Sequence, residues 1–81
     1  MANKSVFSKN YGIFLRELKT ARKEAGLSQE ALAEKLGQTQ SFVSKFERGE
    51  RRIDVIELRL ICSALEMPFV EFVQRLEKRL K

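Results

Sequence analysis

Hydrophobic positions along the chain fall into five runs with helical spacing. In the first, Tyr11, Phe14, Leu15, Leu18, Ala21 and Ala25 recur mostly at intervals of three and four, predicting a helix from about residue 8 to residue 25. Gly26 stands where that helix would stop. Ala31, Leu32 and Leu36 form a shorter stripe, opened by Ser28 as a capping residue and closed by Gly37, which tolerates positive φ. Thr39 caps a third run, ended by Gly49, in which Val43 and Phe46 face inward. Asp54 and Glu57 have the spacing of a reciprocal cap for a fourth helix bearing Leu58, Ile61, Cys62 and Leu65. Pro68, favoured in a first helical turn, opens a fifth at about residues 68–80 that carries Phe69, Phe72, Val73, Leu76 and Leu80. Strand-like alternation never lasts beyond a few residues. The pattern predicts an all-α protein with a flexible N-terminal arm at residues 1–7 and one five-helix domain at residues 8–81.

The third run is polar where a core helix would be apolar. Gln40, Ser41, Ser44, Lys45 and Arg48 lie opposite Val43 and Phe46, and each can hydrogen-bond a base edge or a phosphate. Two short helices joined by a glycine turn, the second with such a face, make a helix-turn-helix suited to the major groove of double-stranded DNA. Phe42 stands about 100° round the helix from Val43, so it either packs at the edge of the core or touches a sugar or thymine methyl.

Composition narrows the alternatives. The chain has 81 residues, 43% hydrophobic and 33% charged, which fits one compact domain. Sixteen Lys and Arg against eleven Asp and Glu leave +5, a modest bias toward polyanions. A single cysteine rules out an internal disulfide, and the absence of histidine removes a Cys/His zinc site and the commonest general base. Cys62 reads as a small core residue. No metal site, no cofactor motif and no acid pair in an evident cleft can be found, so an enzyme is the weakest reading. The first ten residues lack a signal peptide's apolar run, and no segment has membrane-spanning length; a cytoplasmic protein is expected.

Residues about 12 to 66 resemble the Cro/C1-type (XRE) helix-turn-helix family of phage repressors and small bacterial regulators. The matching residues are Leu18 and Arg22, then Gly26-Leu27-Ser28-Gln29 with Leu32-Ala33, and Leu36-Gly37. They continue through Thr39-Gln40-Ser41, Val43-Ser44, Glu47 and Gly49, and end at Ile61 and Ala64-Leu65. The resemblance implies a compact bundle of the lambda-repressor-like DNA-binding type, its second and third helices forming the helix-turn-helix. Gln29 looks like the family's glutamine that binds a phosphate and buttresses the recognition helix, and Thr39 like its backbone-touching cap. Gln40, Ser41 and Lys45 match the base-reading positions. Arg22 and Glu47 match a partly buried ion pair between the first and third helices. Full-length phage repressors carry a separate C-terminal domain that this chain does not match, so self-cleavage is not expected.

The remaining basic residues divide by position. Arg48, Arg51 and Arg52 flank the third helix, with Glu50 and Asp54 as nearby carboxylates, and are candidates for phosphate contact. Lys4 and Lys9 either reach DNA from the arm or stay solvated. Residues 75–81 read as a solvated helix end whose cations complement the dipole. The fifth helix carries more apolar side chains than one stripe requires. Phe69, Phe72 and Val73 suffice for the core, so Val70, Leu76 and Leu80 are expected at a twofold contact between C-terminal helices. Similar stand-alone family members act as homodimers on pseudo-palindromic operators. The leading expectation is a sequence-specific transcriptional regulator: a restriction-modification controller, a phage or mobile-element repressor, or an antitoxin. The alternative is an interaction module that docks a partner through its last helix.

Overall fold

The structure, a computed structural model, describes the backbone of residues 4–80 and the side chains of residues 9–80. Five helices follow in order: α1 (Lys4–Glu24), α2 (Gln29–Leu36), α3 (Gln40–Glu47), α4 (Val55–Ala64) and α5 (Phe69–Leu80), with no strand among the described residues. The first helix starts at Lys4, four residues before the start expected from the periodicity, so residues 4–7 are helical rather than part of an arm. Residues 1–3, the Lys4 side chain and Lys81 lie outside the described residues.

The boundaries follow local chemistry. Ser28 Oγ accepts from the Ala31 amide at 3.0 Å and Thr39 Oγ1 from the Phe42 amide at 3.2 Å, each satisfying an otherwise orphan donor. Asp54 and Glu57 complete the reciprocal cap: each carboxylate accepts from the other residue's amide, at 2.7 and 3.0 Å. Gly37 ends α2 at φ 68°, where its amide reaches back to the last carbonyls of the helix. Gly49 is doubly constrained. Its φ is 82°, and a Cβ there would come within 3.3 Å of Leu15 Cδ1, so α3 must leave the core through a residue without a side chain.

All five helices share one core. Leu18, Ala21, Leu32, Val43, Phe46, Ile61, Cys62 and Phe72 are almost completely excluded from solvent. Phe72 meets Phe14 edge-on at 6.1 Å between ring centroids, the packing geometry aromatic quadrupoles favour. Burial pushes the Cys62 thiol up to about 11, so it stays protonated and acts as an apolar filler. Ala25, counted in the first stripe, is exposed. α3 packs on α1 and α2, while α5 packs on α1 and α4.

The end of α5 departs from the solvated tail expected of it. Glu17 on α1 is buried, and Arg75 and Arg79 both reach it, with Arg75 Nε at 2.8 Å and Arg79 Nε at 3.2 Å. Arg75 also bridges to Glu24 at 3.1 Å. A carboxylate taken out of water costs several kcal/mol, on the order of magnitude usual for buried ions, unless hydrogen-bonded partners replace its hydration. The two arginines do so, and they pin α5 along α1. Nothing in the spacing of a helix-end charge run distinguishes this from a solvated face.

Candidate nucleic-acid interface

A polar relay links the core to the outer face of α3. Arg22 on α1 donates from Nε to Glu47 Oε2 at 2.7 Å and from Nη2 to Oε1 at 3.1 Å, while its Nη1 donates to the Leu27 carbonyl at 2.8 Å. Both side chains are more than nine-tenths buried. The amide nitrogen of Gln29 donates to Glu47 Oε1 at 2.9 Å, and that of Gln40 donates to Gln29 Oε1 at 2.8 Å. A carboxylate can only accept, so Glu47 dictates which way the Gln29 amide faces, and Gln29 in turn orients Gln40. The result is that Gln40 keeps its oxygen and one N–H for a ligand. One acceptor beside one donor is the complement of adenine's major-groove edge.

Around this relay the surface of α3 divides as its sequence suggests. Val43 and Phe46 are fully buried, whereas Gln40, Ser41 and Lys45 are exposed. Ser41 and Lys45 are four residues apart and therefore neighbours on the helix surface. Ser44 is half-buried, and its hydroxyl is engaged by Arg48 Nη1. Phe42 takes the packing role. It lies edge-on to Phe46 at 5.5 Å and flanks an open hollow lined also by Leu36, Arg51 and Leu60.

The three arginines after α3 occupy different settings. Arg48 pairs with Glu50 at 2.9 Å on the surface, and that hydrogen bond holds the Glu50 carboxyl below the usual carboxylate range. Arg51 forms a two-pronged pair with Glu57, at 2.8 and 3.1 Å, and lies 4.7 Å above the Phe42 ring. Its hydrogen bonds, followed by the Asp54 amide, lower the Glu57 pKa. Its carboxylate partner is thus Glu57 on α4 rather than Asp54, which is committed to the cap. Arg52 lies 4.1 Å above the ring of Tyr11 and has no carboxylate partner among the described residues. Helical spacing alone gives Tyr11 no more than a core position. Its hydroxyl oxygen accepts the Ile53 amide at 3.1 Å, so it anchors the loop as well.

The proposed twofold surface is rearranged by the rotation of α5. Phe69, Phe72 and Leu76 form its inward stripe, so Leu76 packs against the core instead of standing free. Val73, assigned to the core from the sequence, is 42% exposed and shares a face with Val70, at 63%, and Leu80. Apolar exposure continues on α4 at Val55, Ile56 and Leu60. A shallow hollow lined by Leu60, Met67, Pro68 and Phe69 lies between α4 and the start of α5. Periodicity alone does not single out these α4 residues, because Val55 and Ile56 precede the first inward position, Leu58, and a ten-residue helix gives the pattern little room. No described helix is long and apolar enough to cross a membrane, and no group of three or more acidic or cysteine side chains among the described residues could hold a metal ion.

Known proteins agree with this geometry. A helix-turn-helix family profile matches residues 18–72. A helix-turn-helix-type transcriptional regulator of Sinorhizobium fredii is 40% identical over 52 residues, 64% of this chain and 68% of that protein. Among solved structures, an XRE-family-like protein from Pseudomonas syringae superposes with a TM-score of 0.87 at 40% identity, over 95% of this chain and 94% of the other. A variant of the restriction-modification controller protein C.Esp1396I gives 0.82 at 31% identity, over 88% and 95% of the two chains. The controller protein C.AhdI from Aeromonas hydrophila gives 0.71, also at 31% identity, over 79% and 93%. With its five-helix fold, its capped helix-turn-helix and these relatives, the chain belongs to the XRE family of DNA-binding helix-turn-helix transcriptional regulators, whose fold is that of regulators rather than enzymes.

Proposed function

We propose that the chain reads a pseudo-palindromic operator in the major groove as a homodimer. The observation that carries this reading is the relay from Arg22 through Glu47 and Gln29 to Gln40, which aims an oriented amide out of a rigid core. Gln40 reads an adenine, Lys45 donates to guanine acceptors, and Ser41 allows close approach between them. Gln29 at the start of α2, the Thr39 hydroxyl and the arginines after α3 grip phosphates on either side. Arg48 and Arg51 exchange their carboxylates for phosphate as DNA arrives. The likeness to two restriction-modification controller proteins supports an operator-binding regulator.

Selection of bound sequences from a random DNA pool tests the reading. Two inverted half-sites are expected, their centres roughly 34 Å apart, one turn of the duplex. Lys45→Ala should relax preference at one base pair per half-site by about 1–3 kcal/mol, while binding remains steeply salt-dependent. A pool that returns no preferred sequence even at low salt rejects the proposal and leaves partner docking through α4 and α5 as the better reading.

The homodimer rests on Val70, Val73 and Leu80, extended by Leu60 across the hollow at the start of α5. Two copies related by a twofold axis would bury this apolar surface against itself. Val70→Glu changes a side chain that is exposed in the single chain, so the helical fold should persist by circular dichroism, less only the stability that dimerisation adds. Sedimentation should then show a monomer where the unaltered chain is dimeric, and operator affinity should fall at least tenfold, on the order expected when two linked half-site contacts become independent. An unaltered chain that remains monomeric at high concentration, with and without operator, excludes the dimer.

A further inference from the structure

We propose that Tyr11 and Arg52 together form a binding site for one backbone phosphate of the DNA. The site rests on the operator-binding reading above and extends it to α1, outside the helix-turn-helix. Arg52 is held by stacking. Its guanidinium carbon lies 4.1 Å from the Tyr11 ring centroid, a contact that uses the flat face of the group and leaves its N–H donors in the plane pointing outward. Among the described residues those donors meet no acceptor, whereas Arg48 and Arg51 are both tied to carboxylates.

The Tyr11 hydroxyl is polarised in the same direction. Its oxygen already accepts the Ile53 amide at 3.1 Å, so its own proton turns away from the loop. No acceptor for that proton is found among the described residues. A planar cationic fork beside a hydroxyl donor therefore stands without an oxygen partner among the described residues. Phosphate is the ligand that answers both, because it offers several strong acceptor oxygens and a negative charge. The position fits a phosphate of the duplex. Residues 50–54 run directly on from α3, and backbone contacts cluster at the flanks of a recognition helix. The ring also removes entropy in advance. Tyr11 is itself steadied by Phe14 at 5.3 Å, so the arginine does not have to be collected from a flexible ensemble when DNA arrives.

Operator affinity measured over a range of salt concentrations tests the site. Tyr11→Phe keeps the ring and loses the hydroxyl, and should weaken binding by about fivefold to tenfold with the salt slope unchanged, because the lost donor is neutral. Arg52→Ala should weaken binding and reduce the slope by about one. The double variant should lose less than the product of the two single effects, as expected for groups sharing one ligand. Neutral methylphosphonate linkages placed one at a time identify the phosphate. The unaltered protein should lose affinity at one position per half-site near the loop, and Arg52→Ala should be insensitive there; this arm holds even if Tyr11→Phe disturbs the loop. Tyr11→Phe binding as tightly as the unaltered chain, or Arg52→Ala keeping full sensitivity at every linkage, overturns the site while operator binding stands. If the unaltered chain binds no duplex DNA, the operator reading itself fails and this site with it.

Discussion

Glu47→Ala is expected to destabilise the protein by about 3–5 kcal/mol, because it leaves the Arg22 guanidinium buried without its counter-charge. For a domain of this length the usual total is about 4–12 kcal/mol, so the variant should be near the edge of folding at room temperature. Urea titration followed by helical circular dichroism measures the loss. Glu47→Gln should lose less, since one carbonyl oxygen can still accept from Arg22 or Gln29. Operator binding should suffer in both variants beyond what partial unfolding explains. Glu47 orients Gln29, and Gln29 orients Gln40, so the outward amide loses its fixed direction once the relay is cut. Binding measured where the variant remains folded separates the two effects. A Glu47→Gln protein that matches the original in both stability and sequence preference would show that the relay does not position Gln40.

Phe72→Ala is expected to cost a similar amount, about 3–5 kcal/mol, by a different route. The ring is completely buried and packs edge-on against Phe14, so its removal opens a cavity between α5 and α1. The Glu17 contacts with Arg75 and Arg79 should weaken with it, because they depend on α5 lying along α1. The expected signature is a lower urea midpoint together with weaker association through the proposed twofold surface. Val70→Glu, by contrast, should lose only the stability that the proposed dimer adds, leaving a midpoint that no longer depends on protein concentration. If Phe72→Ala unfolds at the same urea concentration as the original, the cavity collapses and α5 is more adaptable than its burial implies.

Much of the candidate site is legible in the residues because it is encoded locally. The caps at Ser28, Thr39 and Asp54 depend on side chains within three residues of their targets, and all three form as their spacing predicts. The inward Val43 and Phe46 and the outward Gln40, Ser41 and Lys45 follow from helical geometry alone. The Arg22–Glu47 pair spans 25 residues and was legible only through family resemblance. Tyr11 was not legible as a loop anchor, because its partners at Arg52 and Ile53 lie more than forty residues away. The Glu17 cluster failed for the same reason. A glutamate in a helix stripe and arginines near a chain end look solvated until two helices are laid side by side.

The sequence by itself determined the five helices, the ends that caps and glycines mark, and the polar face of the third, because periodicity, capping and glycine conformation act within a turn or two of the chain; the uncapped start of α1 escaped it. Tertiary structure alone decided how those helices rotate against one another. That rotation turned Leu76 inward and Val73 outward, paired Arg51 with Glu57, laid Arg52 on Tyr11 and closed two arginines around Glu17. Each outcome depends on which side chains from distant segments fill the same space at close packing, and that is a property of the assembled core and not of any one stretch of residues.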